Sequence, residues 1–113
     1  MITYWHYPKC SKSRAGLALI EDRGAEVQIR VYLENAPSVD ELKAAQAALG
    51  VSTIEMMRTG EKLFKDLGLS KDSPEDALLA AMAAHPILIE RPIAIKDGKA
   101  VIGRPTEAIE TLL

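Results

Sequence analysis

Residues 2–22, ITYWHYPKCSKSRAGLALIED, contain the pattern that decides the fold of this chain. The first five of them are rich in β-forming side chains, and Pro8 stops that run. An amphipathic helical pattern follows without further glycine or proline until its second turn. The stretch therefore predicts a strand over 2–6 and a helix over 11–22, with Cys10 at the junction between them.

Cys10 is the only cysteine of the chain, and its predicted place is a helix N-terminus. Unpaired backbone N–H groups and the helix dipole stabilise a thiolate there. The charges of Lys9, Lys12 and Arg14 are expected to lower the thiol pKa further. The alternative is a small buried hydrophobic residue, which is the usual role of a free cysteine. The basic neighbours favour the reactive thiol, because the thiolate is the form that attacks electrophiles.

The composition predicts a single domain over 1–113 and argues against several classes of function. A formal net charge of −2 does not suit broad nucleic-acid binding. There is no apolar run of membrane-spanning length and no leader pattern, and one cysteine cannot form an internal disulfide, so we expect a cytoplasmic protein without membrane contact. His6 and His85 lack further ligands at metal-binding spacing, and no glycine-rich phosphate loop is present, so we expect no metal and no bound cofactor.

The rest of the first half predicts a β-α-β unit and then helices. Alternating apolar residues over 27–31 predict a half-buried strand that pairs parallel with the first. A helical insert of about 38–85 follows. Within it, Ser38 and Ser52 begin capping-box patterns, and Ser73 is the expected cap of a helix with proline in its first turn.

The end of the chain returns to strands. Asp97-Gly98 between two apolar segments predicts a tight antiparallel hairpin. Arg104-Pro105 then leads into a final helix that extends through Leu112. The order β-α-β, helical insert, β-β-α predicts an α/β fold in which helices cover a mixed four-stranded sheet, and this order matches a thioredoxin-like fold.

Three arginines lie at predicted element boundaries: Arg58 follows a short helix, and Arg91 and Arg104 each precede a proline. Taken singly, an arginine is usually a solvated surface charge. The alternative hypothesis is that all three converge on the Cys10 thiolate and hold an oxyanion, because planar guanidinium donors match oxyanions in pairs. A following proline restricts the residue before it to extended backbone, which fixes the direction of its side chain.

Residues 6–14, HYPKCSKSR, resemble the H-N-P-x-C-x-x-S-R signature of the glutaredoxin-coupled arsenate reductase family. Further segments follow in that family's order, namely 33–37 (LENAP), 58–59 (RT), 85–93 (HPILIERPI) and 103–105 (GRP). The resemblance thus covers essentially the whole chain, and it is to the short branch, which lacks the tail of longer members. It implies a thioredoxin-like core with an inserted helical region.

The resemblance also implies the catalytic roles. Cys10 would be the redox cysteine that attacks arsenate, and Arg58, Arg91 and Arg104 would hold the oxyanion. Pro92 occupies the place of the family's cis-proline beside the active site. In the implied mechanism water leaves arsenate, glutathione attacks the adduct as co-substrate, and arsenite departs. Glutaredoxin, the protein partner, then reduces the mixed disulfide of this oxidoreductase, which would serve arsenic detoxification.

Three neighbours of the cysteine are expected to support its thiolate: His6, Ser13 and Arg14. A protonated His6 would lower the Cys10 pKa. Ser13 would cap the helix or donate a hydrogen bond to the thiolate, and capping alone is the simpler interpretation. Tyr7 departs from the family signature, because it stands where the family has a polar amide.

Two alternative functions stay open. Spx-like redox regulators share this fold and bind RNA polymerase instead of turning over a substrate. They sense oxidant through a C-x-x-C pair, and Ser13 stands where the second cysteine would be, so this chain has no internal disulfide switch, although an interaction role remains. The other alternative is a glutathione-dependent thiol enzyme whose electron acceptor is not arsenate.

Overall fold

The computed structural model describes all residues 1–113 and divides them into two compact units. The first, here the sheet unit, consists of Met1–Asn35 and Arg91–Leu113, and the second, the helical unit, is Ala36–Glu90. The predicted insert of about 38–85 falls within the helical unit. That the whole chain behaves as one domain stays a prediction.

The sheet unit contains a mixed four-stranded sheet, as predicted. Its elements are β1 (Ile2–His6), α1 (Ser11–Asp22), β2 (Val27–Val31), β3 (Ile93–Lys96), β4 (Lys99–Ile102) and a final 3₁₀ helix (Thr106–Leu112). The strand order is β2-β1-β3-β4. β1 and β2 are parallel, whereas the other two pairs are antiparallel. The last element was expected to be a helix, and it is one of the tighter 3₁₀ type.

The predicted β-hairpin is confirmed. Asp97 and Gly98 both have positive φ, 51° and 78°, which are the values that a two-residue turn between twisted strands requires. β2, by contrast, is not buried on alternate residues as expected. It is an edge strand, and Ile29 in its middle is 46% exposed. An edge strand has a neighbour on one side only, so side chains that the pattern predicts to be covered reach solvent.

The core of the sheet unit lies where α1 and the final 3₁₀ helix pack on the sheet. Its buried members come from all of these elements: Ile2, Tyr4, Ile20, Ala94, Ile109 and Leu112. Gly16 of α1 marks the closest approach, because a Cβ there would overlap the Tyr4 hydroxyl and lie 2.7 Å from Ile109 Cδ1. This close packing holds α1 against β1 and the final 3₁₀ helix.

The helical unit consists of α2 (Val39–Leu49), α3 (Lys62–Asp66), α4 (Glu75–Ala84) and two 3₁₀ turns (Thr53–Met56 and Pro86–Leu88). The capping box of Ser38 and Glu41 forms with both of its hydrogen bonds. Gly50 ends α2 in the left-handed conformation, φ 68°. No helix of the chain is both long enough and apolar enough to cross a bilayer.

Of the two further caps predicted in this unit, one lacks its capping bond and one is wrong. Ser52 is the N-cap residue of a 3₁₀ turn, but its hydroxyl donates to the Glu55 carboxylate instead of accepting from a backbone N–H. The Ser73 hydroxyl accepts a hydrogen bond from the backbone N–H of Ser70, and Pro74 is the N-cap residue of α4. Both serines form local hydrogen bonds that compete with capping, as short polar side chains do.

Candidate functional site

Cys10 lies in a tight turn between β1 and α1. Its backbone N–H donates to the Tyr7 carbonyl (2.9 Å), and its own carbonyl accepts from the N–H of Arg14 (3.0 Å). Cys10 is the N-cap residue of α1, with an extended backbone and a half-buried side chain. The structure therefore places the thiol at the helix N-terminus that the sequence predicted.

The surroundings of Cys10 favour its thiolate. Burial raises the pKa of the Cys10 thiol, but the backbone N–H of Ser13, the side chain of Arg91 and the backbone N–H of Lys12 together outweigh burial, so the net pKa is lowered. The direction is the expected one, and so is the contribution of the first helical turn. The strongest charge comes from a different place, because Arg91 supplies it and not the basic residues beside Cys10 in sequence.

Arg91 is the cation in direct contact with the thiol. Its side chain interacts with the Cys10 thiol and lies near Tyr32. Its guanidinium carbon lies over the Tyr7 ring, 4.7 Å from the ring centroid. Burial alone lowers the pKa of Arg91, but the contacts with Cys10 and Tyr32 raise it overall. Arg91 therefore keeps its charge beside the sulfur at every physiological pH.

Arg104 brings a second guanidinium to the same sulfur. Its Nη2 lies 3.9 Å from Cys10 Sγ, and its Nε donates to the Arg91 carbonyl over 2.6 Å. The Arg104 side chain is exposed, whereas Arg91 is half-buried. One cation therefore lies inside the site and one at its solvent side, and together they can bind an anion that approaches Cys10.

The two arginine–proline segments are packed together. The Arg91–Pro92 and Arg104–Pro105 peptide bonds are both cis. Between them, the N–H of Gly103 donates to the Pro92 carbonyl (2.8 Å). A Cβ at Gly103 would lie only 2.7 Å from Pro92 Cγ, so the close approach of the two segments needs glycine there.

Arg58 belongs to the helical unit, where two carboxylates bind its guanidinium. Its Nε lies 3.1 Å from Glu61 Oε1 and its Nη1 lies 3.2 Å from Glu90 Oε1. The backbone N–H of Arg58 also donates to the Leu88 carbonyl (2.7 Å), which fixes the backbone at that point. That Arg58 helps Arg91 and Arg104 to hold the oxyanion stays a prediction.

Ser13 does not cap α1, contrary to the preferred interpretation. Its fully buried hydroxyl accepts from the N–H of Tyr7 (2.9 Å) and shares a hydrogen bond with His6 Nδ1 (2.7 Å). Its carbonyl accepts from the Tyr4 hydroxyl (2.7 Å). Ser13 therefore fastens the cysteine turn to the end of β1, while its backbone N–H is the part that stabilises the Cys10 thiolate.

His6 is better described as neutral than as the expected charged group. Burial lowers the pKa of His6, and the charge of Arg14 lowers it further, with Glu21 opposing them. Because the Ser13 hydroxyl accepts from Tyr7, its own hydrogen is available to the Nδ1 atom of a neutral ring. His6 thus binds the Ser13 hydroxyl as a neutral ring, and its support of the thiolate stays a prediction.

The exposed Arg14 side chain stabilises the cysteine turn, because its Nη1 donates to the Pro8 carbonyl (2.8 Å).

Two further residues of the site, Tyr7 and Tyr32, were not predicted to contact Arg91. No local pattern could have indicated these contacts, because they join the residues directly after β1 and β2 to a residue near the other end of the chain. No three His, Cys, Asp or Glu side chains are grouped so as to ligate a metal ion.

Comparisons with known proteins agree on one family. The ArsC family profile matches residues 5–112. An arsenate reductase of Neisseria meningitidis serogroup A is 46% identical, over 99% of this chain and 97% of that protein. An arsenate reductase of Haemophilus influenzae is 42% identical, over 99% and 98%. Among solved structures, an arsenate reductase from Vibrio cholerae superimposes with a TM-score of 0.96 at 48% identity, covering 99% of this chain and 97% of that one.

Proposed function

The chain belongs to the ArsC family, and we propose that it is an arsenate reductase that takes its electrons from glutathione and a glutaredoxin. One observation carries the proposal: a half-buried thiol at a helix N-terminus is in contact with two guanidinium groups, Arg91 and Arg104. The names of the full-length relatives supply the substrate, because those proteins are called arsenate reductases.

The charges at the site suit an arsenate anion. Guanidinium groups donate two parallel hydrogen bonds to an oxyanion, and those of Arg91 and Arg104 both lie beside Cys10 Sγ. The N-terminus of α1 adds backbone N–H groups and the positive end of the helix dipole. The same groups that stabilise the thiolate would therefore bind the oxyanion next to it and stabilise charge that develops on its oxygens.

The chemistry needs three thiols in sequence. Cys10 Sγ attacks As(V), so that an S–As bond forms while one arsenate oxygen leaves as water. A glutathione thiolate then attacks Cys10 Sγ: an S–S bond forms, the S–As bond breaks, and its electron pair reduces arsenic to As(III), which leaves as arsenite. A glutaredoxin thiolate attacks the glutathione sulfur and releases the Cys10 thiolate. Two thiols are oxidised to a disulfide for each arsenic reduced.

External reductants are proposed because Cys10 is the only cysteine in the chain. A thiol that has no resolving partner in its own chain must be regenerated by another molecule. Glutathione is anionic, so the positive charges of Arg91 and Arg104 would favour its approach as they favour that of arsenate. We place the enzyme in the cytoplasm, where glutathione keeps thiols reduced.

The test is a coupled assay with arsenate, glutathione, glutaredoxin and a nicotinamide-linked recycling system. We expect turnover that requires all of these components and that Cys10→Ser abolishes. Intact-protein mass spectrometry should show one glutathione adduct, absent from Cys10→Ser and removed by glutaredoxin. Full turnover without glutathione or glutaredoxin would contradict the assignment of the reductant.

The same assay separates the alternative functions. Turnover with selenate or an organic disulfide, but not with arsenate, would identify a glutathione-dependent thiol enzyme with another acceptor. Specific retention on RNA polymerase without any turnover would identify a regulator. Cys10→Ser is the matched control in both cases, because it removes one sulfur atom and leaves the shape of the site nearly unchanged.

A further inference from the structure

Tyr7 lies in the cysteine turn and carries an aromatic ring into the site. The turn fixes its backbone twice: its N–H donates to the Ser13 hydroxyl (2.9 Å), and its carbonyl accepts from the N–H of Cys10 (2.9 Å). Pro8 follows and restricts it to extended backbone. The direction of the ring is therefore determined by the same turn that positions the thiol.

The ring lies against the cation that contacts the thiol. The guanidinium carbon of Arg91 is 4.7 Å from the centroid of the Tyr7 ring, within the range of a cation–π interaction. The same side chain interacts with the Cys10 thiol and lies near Tyr32, and Arg104 Nε donates to the backbone carbonyl of Arg91. The Tyr7 ring on the face of the guanidinium and the contact with Cys10 together restrain the Arg91 side chain.

We propose that Tyr7 is a positioning residue, whose ring holds the guanidinium of Arg91 in the orientation in which it contacts Cys10. Arginine has several rotatable bonds. Without a ring against its guanidinium, the Arg91 side chain could turn away from the sulfur at little cost in free energy. The ring removes that freedom. Where arsenate is concerned, the inference rests on the proposed function, because the oriented guanidinium is also a donor to the bound oxyanion.

The first experiment measures the thiolate without any substrate. We would follow Cys10 alkylation by iodoacetamide against pH in Tyr7→Phe and Tyr7→Leu. Phenylalanine keeps the aromatic face and should preserve the wild-type profile. Leucine removes it, so the midpoint should move to higher pH, and the alkylation rate near neutral pH should fall about threefold or more. An unchanged profile in folded Tyr7→Leu would overturn the proposal.

A double-variant cycle tests whether Tyr7 acts through Arg91. In an Arg91→Gln background the ring has no cation to hold, so Tyr7→Leu should cause no further change in the alkylation profile. The same change in both backgrounds would mean that Tyr7 supports the turn by packing alone, and the inference would fail. If Tyr7→Leu does not fold, Tyr7→Asn takes its place, because asparagine suits a turn and also lacks the ring.

The last arm uses arsenate kinetics. Tyr7→Leu should raise the KM for arsenate by about tenfold, whereas Tyr7→Phe should keep the KM close to the wild-type value. If the wild-type enzyme does not reduce arsenate, the proposed function fails, and the alkylation cycle still decides the role of Tyr7. If arsenate is reduced while Tyr7→Leu leaves both KM and the alkylation profile unchanged, the positioning role alone is wrong.

Discussion

Arginines in the two units of this chain have different partners. In the sheet unit, Arg91 contacts the Cys10 thiol and the Tyr7 ring and lies near Tyr32. In the helical unit, Arg58 contacts the carboxylates of Glu61 and Glu90. Arg91 has one anionic partner, the Cys10 thiolate, whereas the two carboxylates beside Arg58 neutralise more of its positive charge. The surplus positive charge beside Cys10 therefore makes Arg91 better suited than Arg58 to donate hydrogen bonds to a second anion, and the role of Arg58 stays a prediction.

The largest expected effect tests that comparison directly. Arg91→Lys keeps the charge but removes the planar fork, so the kcat/KM for arsenate should fall about 10² to 10³-fold, the usual cost of losing one such donor. Arg104→Lys is also expected to lower the kcat/KM for arsenate. Arg58→Lys should cost much less, because lysine can keep an ion pair with Glu61 or Glu90.

Steady-state kinetics of the three lysine variants decides between two interpretations. A loss in Arg58→Lys as large as that in Arg91→Lys would break the comparison and support the three-arginine clamp that the sequence predicted. Thermal unfolding of each variant is the control, because a folding defect would lower the activity of all three without regard to the site.

A smaller effect concerns packing. Gly16→Ala should destabilise the protein by about 1–3 kcal/mol, because the added Cβ would overlap the Tyr4 hydroxyl and crowd Ile109. Gly60 in the helical unit is the matched control, since a Cβ there would meet no atom within 4 Å. Denaturant unfolding of both variants checks the difference, and equal stability would show that α1 can move away from Tyr4 at no cost.

The smallest effect is the pH dependence that His6 contributes. The pKa of His6 is lowered in the folded protein, so the unfolded chain binds the extra proton more readily. This part of the stability is present above the ordinary histidine pKa of about 6.5 and is lost as the pH falls below it. Acidification from about pH 7.5 to 5.5 should therefore lower the Tm more in the wild type than in His6→Gln.

The His6→Gln variant also tests how the ring supports the thiolate. If His6 acts while neutral, only its hydrogen bond to Ser13 matters; the glutamine amide can replace that bond, so the pH midpoint of Cys10 alkylation should stay nearly unchanged. A clear rise of that midpoint would show that a charged ring contributes after all. The two measurements are independent, because one reports the folded state as a whole and the other reports a single sulfur.

Local patterns predicted most of the fold. The strand over 2–6 and the helix over 11–22 have the predicted bounds, and the hairpin at Asp97-Gly98 forms as expected. These elements depend on proline, on positive-φ turn residues and on apolar periodicity, which act within a few residues. The wrong predictions, such as capping by Ser73 and burial of Ile29, failed because a competing local bond or an edge position decided the outcome.

The sequence by itself determined the order of elements and the place of Cys10 at a helix N-terminus, because strand ends and helix starts are local properties of the chain. Only the tertiary structure decided which charged side chains lie beside the Cys10 sulfur. Arg91 and Arg104 reach Cys10 from the far end of the chain, while Tyr7 and Tyr32 contact Arg91 across the sheet unit. Such contacts follow from strand order and packing, which bring residues that are remote in sequence within reach of one atom.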